Sequence, residues 1–208
     1  MLPVTIPIFP LPNVVLFPNV FLPLHIFEPR YRDMVSDALA GDRLIGMSLL
    51  QPGFEAEYEG RPAVYAIGCA GVITHSERLA DGRFNIVLRG IERYRIERED
   101  TSRSYRLAQV VALPELPSVA ERAELTQQRQ RLEAALAAAM ERGGAEPRSL
   151  PAIADEDLVN SLSQYMDLQP VERQALIECS GALARCQALI ELLEMRMLAP
   201  RGQSGGVH

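Results

Sequence analysis

One stretch of the sequence decides the fold: Phe17-Pro-Asn-Val-Phe-Leu-Pro-Leu-His-Ile-Phe-Glu-Pro-Arg-Tyr31. Its β-branched and aromatic residues predict a strand over 20–27, and its prolines restrict that strand to a sheet edge or a bulge, because proline has no N–H to donate to a ladder. Pro29 disfavours the helical conformation in Glu28 and is itself suited to the first position of a helix. The stretch therefore predicts a strand that passes directly into a helix over 29–40.

The rest of the first half is also predicted to be mostly strand. The predicted strands cover 2–9, 43–50, 64–79, 83–88, 91–97 and 105–113. Asp81-Gly82 favours a two-residue hairpin, and Arg89-Gly90 predicts a second tight turn or a bulge. Gly41 is expected to end the helix in the left-handed conformation. One early helix among mostly antiparallel strands favours a small closed or half-closed barrel over a doubly wound sheet.

The pattern changes at Pro114–Pro117, after which helices are predicted. Ser118-Val-Ala-Glu121 is a capping box, which predicts a long helix to about Arg142 because the two side chains satisfy each other's backbone donors. Three more helices are predicted: one capped by Asp155, one from Pro170 to about Glu178, and one that begins after Ser180 or Gly181 and ends at Leu198.

The last predicted helix is apolar on most of its circumference, although Arg185 is among its polar positions. This pattern favours a helix sandwiched between others, with an interface as the alternative. The expected organisation is a β-rich subdomain over 1–114, a helical bundle over 118–199 and a disordered, Gly-rich tail over 200–208.

Composition excludes several classes of function. The chain has 208 residues, with 21 basic and 27 acidic side chains and a net charge of −6, which opposes general binding to nucleic acid or anionic membranes. Every basic residue is Arg, so the chain cannot form a Walker-type phosphate loop, a Ser–Lys dyad or a Schiff base. Prolines interrupt the charge-free run over 1–27, which argues against a membrane span or a signal peptide and predicts a cytoplasmic protein.

No catalytic or metal site is predicted. Gly202-Gln-Ser-Gly-Gly206 matches a nucleophile-elbow pattern, but we expect a chance match, because this motif acts only at a strained strand-to-helix turn. His25, His75 and Cys69 lack the paired spacing of zinc ligands, and the three cysteines are expected to be reduced thiols. A hydrolase would need a pocket that joins a nucleophile to His25 or His75. We therefore expect no metal and no cofactor.

The stretch over 17–31 resembles the N-terminal, substrate-binding domain of the Lon protease family, together with Leu11-Pro12 before it and Asp42-Arg-Leu-Ile-Gly-Met47 after it. The strings Ile67–Ile73, Asp81–Arg83 and Leu88–Tyr94 agree with it. The resemblance covers residues 1 to about 114 well and the helical remainder more loosely. Its structural motif comprises Glu28, Pro29, Arg30, Tyr31, Gly90 and Arg93.

The resemblance implies an α+β fold: an N-terminal PUA-like, six-stranded pseudo-β-barrel with one helix, followed by a C-terminal α-helical bundle. It also implies recognition of protein substrates rather than their cleavage. Because the sequence contains neither an ATPase module nor a protease module, we expect a stand-alone domain that is associated with proteolysis and is not an enzyme. The sequence leaves its oligomeric state open.

The leading interpretation is a non-catalytic protein- or peptide-binding module that captures unfolded or extended segments. Phe17, Val20, Phe54 and Tyr58 are the candidate contacts, as exposed apolar loop residues, and strand addition at a sheet edge could assist them. The alternative for each, above all for Phe17, is a side chain folded back onto the core.

The second interpretation is an RNA-binding PUA-like module that uses the Arg-rich stretch over 89–106. These arginines alternate with acidic residues, which also fits a salt-bridged face exposed to solvent. The expected partners are proteins or unfolded polypeptide segments, with no nucleic acid and no membrane.

Overall fold

The computed structural model describes residues 2–53, 60–142 and 152–198. The first half contains β1 (Thr5–Leu11), β2 (Phe21–Ile26), α1 (Pro29–Ala40), β3 (Leu44–Leu49), β4 (Ile67–Arg78), β5 (Phe84–Asp100) and β6 (Arg106–Leu113). The second half contains α2 (Val119–Arg142), α3 (Asp155–Tyr165), α4 (Pro170–Glu178) and α5 (Ala182–Leu198). The predicted tail over 200–208 lies outside the described residues.

The six strands form one sheet in the order β2-β5-β4-β3-β1-β6, and β5 also pairs with β6. Five strands therefore close into a ring, while β2 pairs with the first part of β5. Among the strands of the described residues, β1 and β3 pair in parallel and the other pairs are antiparallel. The ring of strands is not a regular barrel, and α2 to α5 follow it in the chain. The predicted pseudo-barrel followed by a helical region is therefore confirmed.

β5 is a single strand of 17 residues, where the sequence predicted two. The bulge at Gly90 is confirmed, because the β4–β5 register shifts there and Ile91 is left without a partner, but the predicted turn is wrong. The loop before β2 crosses the strand at this point: Gly90 N–H donates to Val20 O (2.9 Å), and Asn19 N–H donates to Gly90 O (2.8 Å). A Cβ at Gly90 would overlap the carbonyl of Phe17. This close approach bends β5 without reversing it.

The strand-to-helix junction forms as predicted. Glu28 is the N-cap of α1 with extended backbone, and Pro29 takes the first helical turn. The Glu28 carboxylate pairs with Arg30 at 3.1 Å. Tyr31 is buried against the ring of Phe9, with 4.4 Å between the centroids. The junction thus anchors α1 to β1.

The end of α1 differs from the prediction. Gly41 has φ −116°, so it does not adopt the left-handed conformation. Arg43 adopts it instead, with φ 59°. Its N–H donates to Ala38 O (2.9 Å) and its Nε donates to Ile73 O (3.1 Å). These two bonds hold Arg43 in a conformation that a side chain normally disfavours.

The long helix α2 begins with the predicted capping box. Ser118 N–H donates to Glu121 Oε2 (2.7 Å), and Glu121 N–H donates to Ser118 Oγ (3.2 Å). Asp155 does not cap α3, because Ala154 takes the N-cap position. Instead its carboxylate accepts hydrogen bonds from Arg129 (2.8 Å) and Thr126 (2.7 Å), which tie α3 to α2.

The sheet and the helices share one large apolar core. It includes residues of the sheet and α1 together with residues of all four later helices. A smaller cluster fills the ring of strands, with Ile6, Ile8, Ala70, Tyr94, Ala108 and Val110. α5 packs against α2, α3 and α4, as its apolar circumference predicted. The division into subdomains at 114–118 stays a prediction.

Candidate functional site

A cleft of about 840 Å³ lies where the segment after β6 crosses from the sheet to the helices. Its walls are the loop residues Pro18 and Asn19, the β5 segment 91–93, the linker 113–117 and the first turns of α2, α3 and α5. Its volume falls within the range of roughly 300–1,000 Å³ that is typical of ligand pockets. The cleft is thus built from both halves of the chain.

Arg93 and Glu115 form the floor of the cleft and belong to a buried ionic cluster with Arg185, which lies beneath the lining residues. Glu115 Oε1 lies 2.6 Å from Arg93 Nε and 2.6 Å from Arg185 Nη2. The Arg185 side chain is fully buried and that of Arg93 is 5% exposed. Arg185 also donates to Asn160 Oδ1 (2.5 Å). The linker carboxylate therefore joins β5 to α5, and Arg185 extends the cluster to α3.

The same two guanidinium groups cap the C-terminal end of α4. Arg185 Nε donates to Leu176 O (3.0 Å), while Arg93 Nη1 donates to Ile177 O (3.0 Å) and Cys179 O (2.5 Å). The last carbonyls of a helix have no partner within it and carry partial negative charge. The two arginines supply both the donors and the positive charge that this end requires.

Burial shifts the pKa values of two groups, Arg93 at the floor and Cys179 beside the cluster. Desolvation lowers the pKa of Arg93 below the ordinary arginine value, with Glu115 opposing the shift and Arg185 adding to it. Desolvation raises the pKa of the neighbouring Cys179 thiol. All the charged groups of the cluster are bound to one another or to helix carbonyls. The cluster therefore fixes the walls of the cleft rather than offering a reactive group.

Two of the four predicted contact residues are buried. Phe17 is fully buried and Val20 is 3% exposed, so the expectation that they are exposed is wrong and the alternative for Phe17 is the correct one. The loop folds onto the sheet because Gly90 binds its backbone, and the Arg185 guanidinium lies 5.6 Å from the Phe17 ring centroid. Phe54 and Tyr58 lie outside the described residues.

The exposed apolar side chains of the cleft are ones that sequence reasoning missed. Leu116 is 86% exposed in the linker and Ile91 is 40% exposed at the bulge. Consecutive residues of a regular strand point to opposite faces, yet Ile91 and Glu92 both line the cleft because the bulge re-aims the strand. The predicted bulge at Arg89-Gly90 was the sequence signal that could have pointed to these exposed side chains.

Arg185 was also missed, although its spacing carries a signal. It lies three residues after Ala182 and four before Leu189, which places it within the buried stripe of α5. A charged residue in such a stripe needs a buried partner. Glu115 is that partner, 70 residues away in the sequence.

The structural motif residues are divided between two places. Gly90 and Arg93 shape the cleft, as described above. Arg30 and Tyr31 instead line a smaller pocket of about 230 Å³, together with Tyr105 and other residues. The pKa of Tyr105 is raised to about 12 by burial and by its hydrogen bond to Asp37.

His25 and most of the Arg-rich stretch over 89–106 lie outside the lining of the cleft. His25 Nδ1 lies 2.8 Å from Asn85 Oδ1, and its Nε2 lies 3.2 Å from Arg83. The salt-bridged face exposed to solvent is confirmed at Arg95, which pairs with Glu97, and at Arg103, which pairs with Asp37. Arg93 and Arg106 of the same stretch form ion pairs that are buried instead. Within residues 2–53, 60–142 and 152–198, no cluster of His, Cys, Asp and Glu could hold a metal ion. In the same ranges, no helix has the length and apolarity to cross a bilayer.

Comparison with known families now gives the fold a name. The sequence model of the ATP-dependent protease La (LON) substrate-binding domain matches residues 5–195. The chain belongs to this family. Two curated relatives of this Lon-family domain are a Lon protease of Flavobacterium johnsoniae, 26% identical over 201 residues, and a Lon protease 2 of Syntrophobacter fumaroxidans, 28% identical over 189 residues. The first alignment covers 94% of this chain and 24% of the relative, and the second covers 85% and 22%, so the chain spans about a quarter of their length.

Solved structures share the fold. The N-terminal domain of Mycobacterium avium complex Lon protease superposes with a TM-score of 0.66 at 16% identity, covering 91% of this chain and 98% of that chain. A Lon N-terminal domain protein from Xanthomonas campestris superposes with a TM-score of 0.60 at 22% identity, covering 90% and 97%. The Lon-family fold that the stretch over 17–31 predicted is thereby confirmed.

Proposed function

We propose that this Lon-family domain is a non-catalytic module that captures unfolded or extended polypeptide segments in the cleft. Membership of the family implies protein substrates in general. The observation that supports the finer proposal is an open cleft whose wall exposes Leu116 and Ile91 to solvent. Exposed apolar side chains in a concave surface are what an apolar segment of another chain can cover.

The floor of the cleft supports the same proposal. Its charges are held by one another and by the end of α4, so they keep the walls in place without competing for a ligand. A pre-formed site loses less conformational entropy on binding than one that must be ordered first. The main entropic cost of binding in this cleft is therefore the ordering of the extended segment itself.

RNA binding is not proposed. Arg93 and Arg106, two of the arginines that would form the basic surface, are buried in ion pairs with Glu115 and Glu99. Arg95 and Arg103 also pair with acidic residues. These contacts divide the Arg-rich stretch into local pairs rather than one phosphate-binding surface.

The test is a titration of the protein into a fluorescently labelled, permanently unfolded polypeptide, followed by anisotropy. We expect saturable binding that Leu116→Ser weakens at least about fivefold, because it removes the most exposed apolar group of the cleft. Leu198→Ser is the matched control, since Leu198 is 84% exposed at the far end of α5. No saturable signal at high micromolar protein, or an equal loss in both variants, would contradict the proposal.

A further inference from the structure

The walls of the cleft carry an excess of acidic charge. Glu92, Glu121 and Glu156 line it, against Arg122 as the one basic side chain outside the floor among the described lining residues. The floor adds Arg93 and Glu115, but the Arg93 guanidinium is buried and faces the carbonyls of α4. A ligand in the cleft therefore meets a negative surface.

Two of these carboxylates have reason to attract a cation. Glu92 and Glu156 are half-buried, so part of their hydration is lost. Within residues 2–53, 60–142 and 152–198, neither makes a hydrogen bond or ion pair, whereas Glu121 is used by its capping box. A partly desolvated carboxylate without a partner is stabilised by a positive charge brought to it.

Acidic and apolar side chains both line the cleft. Ile91 lies next to Glu92 on the β5 bulge, and Leu116 lines the same cleft from the linker that leads to α2. A bound segment would need apolar side chains to cover Ile91 and Leu116 and a positive charge within reach of Glu92 and Glu156. This combination defines the ligand more narrowly than an apolar surface alone would.

We propose that the cleft selects extended polypeptide segments in which lysine or arginine stands beside apolar residues. This inference rests on the proposed function and specifies its substrate class. Charge complementarity causes the preference for lysine and arginine, while the apolar contacts supply the affinity that all apolar segments share. Raising the salt concentration reduces the preference, because the carboxylates are partly open to solvent and are screened.

The experiment compares three labelled peptides of equal length and equal apolar content that carry two lysines, two glutamines or two glutamates at their centre. Anisotropy titrations use the full chain at about 20 mM and about 300 mM salt. At low salt we expect the lysine peptide to bind about tenfold more tightly than the glutamine peptide, and the glutamate peptide to bind most weakly. At high salt the difference falls to about threefold or less.

Two double variants test whether the cleft causes the preference. Glu92→Gln with Glu156→Gln should remove most of the preference for lysine, measured as the ratio of the affinities for the lysine and glutamine peptides within this variant. Glu141→Gln with Glu191→Gln changes the net charge equally at exposed helical positions outside the cleft, and should keep the preference. Thermal unfolding by circular dichroism verifies that both variants are folded.

The outcomes separate this inference from the function on which it rests. Equal binding of the lysine and glutamine peptides overturns the preference and leaves peptide capture standing. An equal loss of preference in both double variants also overturns it, because the effect would then come from overall charge. Absence of binding by all three peptides overturns the proposed function, and the inference with it.

Discussion

Replacing Glu115 by Gln should destabilise the protein far more than its partial exposure suggests. The side chain is 19% exposed, yet it is the carboxylate between Arg93 and Arg185. Glutamine has nearly the same shape, so the change removes one negative charge and leaves two buried guanidinium groups facing each other. Removing one partner from a buried ion pair costs about 3–5 kcal/mol, because the remaining charge stays desolvated. We expect a loss of about that size in the free energy of unfolding.

Urea unfolding followed by far-ultraviolet circular dichroism measures this loss. With a slope of about 2 kcal/mol per molar urea, the midpoint should fall by about 1.5–2.5 M. The matched control is Glu97→Gln, whose partner Arg95 is 51% exposed. An exposed pair contributes about 0–1 kcal/mol, so the control midpoint should move by no more than about 0.5 M.

A second substitution tests the cause. In the double variant Glu115→Gln with Arg185→Met, one of the two unpaired charges is gone, so the total loss should be smaller than the sum of the single losses. If Glu115→Gln destabilises no more than Glu97→Gln, or if the two losses at 115 and 185 simply add, the account of the floor as a mutually dependent ionic cluster is refuted.

Three further predictions concern other parts of the fold. Gly90→Ala should lower the free energy of unfolding by about 1–3 kcal/mol, because the alanine Cβ would overlap the Phe17 carbonyl. Thermal unfolding measures this loss, and an unchanged melting temperature would show that the loop does not cross β5 there. Ser118→Ala should cost about 1 kcal/mol in urea unfolding, since Glu121 N–H loses its acceptor, and no loss would mean that the capping box is not formed in solution. Burial raises the pKa of Cys69 from 9.0 to about 12, so the folded protein binds the thiol proton more tightly than the unfolded chain does. The stability that this proton contributes is complete below about pH 9 and is lost as pH rises towards 12. Cys69→Ala should therefore flatten the alkaline decline of stability, and an unchanged pH profile would contradict the assignment.

Local chemistry allowed the starts of α1 and α2 to be predicted from the sequence. Pro29 marks the start of α1, and Ser118 with Glu121 marks the start of α2, because each signal acts on backbone groups within four residues. The closed arrangement of strands was predicted through the family resemblance, because the pattern of a single strand does not specify how strands pair. These parts of the fold depend on short-range preferences or on the stretch over 17–31.

The cleft could not be predicted in the same way, because contacts distant in sequence create it. Gly90 carries the same local signal for a turn and for a bulge, and the Phe17 carbonyl against it decides between them. Phe17 resembles an exposed loop residue until the sheet and Arg185 cover it. The spacing of Arg185 indicates burial, but the sequence does not show that Glu115 of the linker, 70 residues away, is its partner. Each outcome depends on the assembled core.

The most direct measurement of the central claim is site-specific photocrosslinking. A benzophenone side chain is placed at Leu116 in one protein and at Leu198 in another, and each is irradiated with the labelled unfolded polypeptide. Because Leu116 stands in the cleft wall and Leu198 lies at the end of α5, the account predicts a crosslinked product from position 116 and little or none from position 198. A product of equal yield at both positions, or at 198 alone, would contradict capture of polypeptide by the cleft.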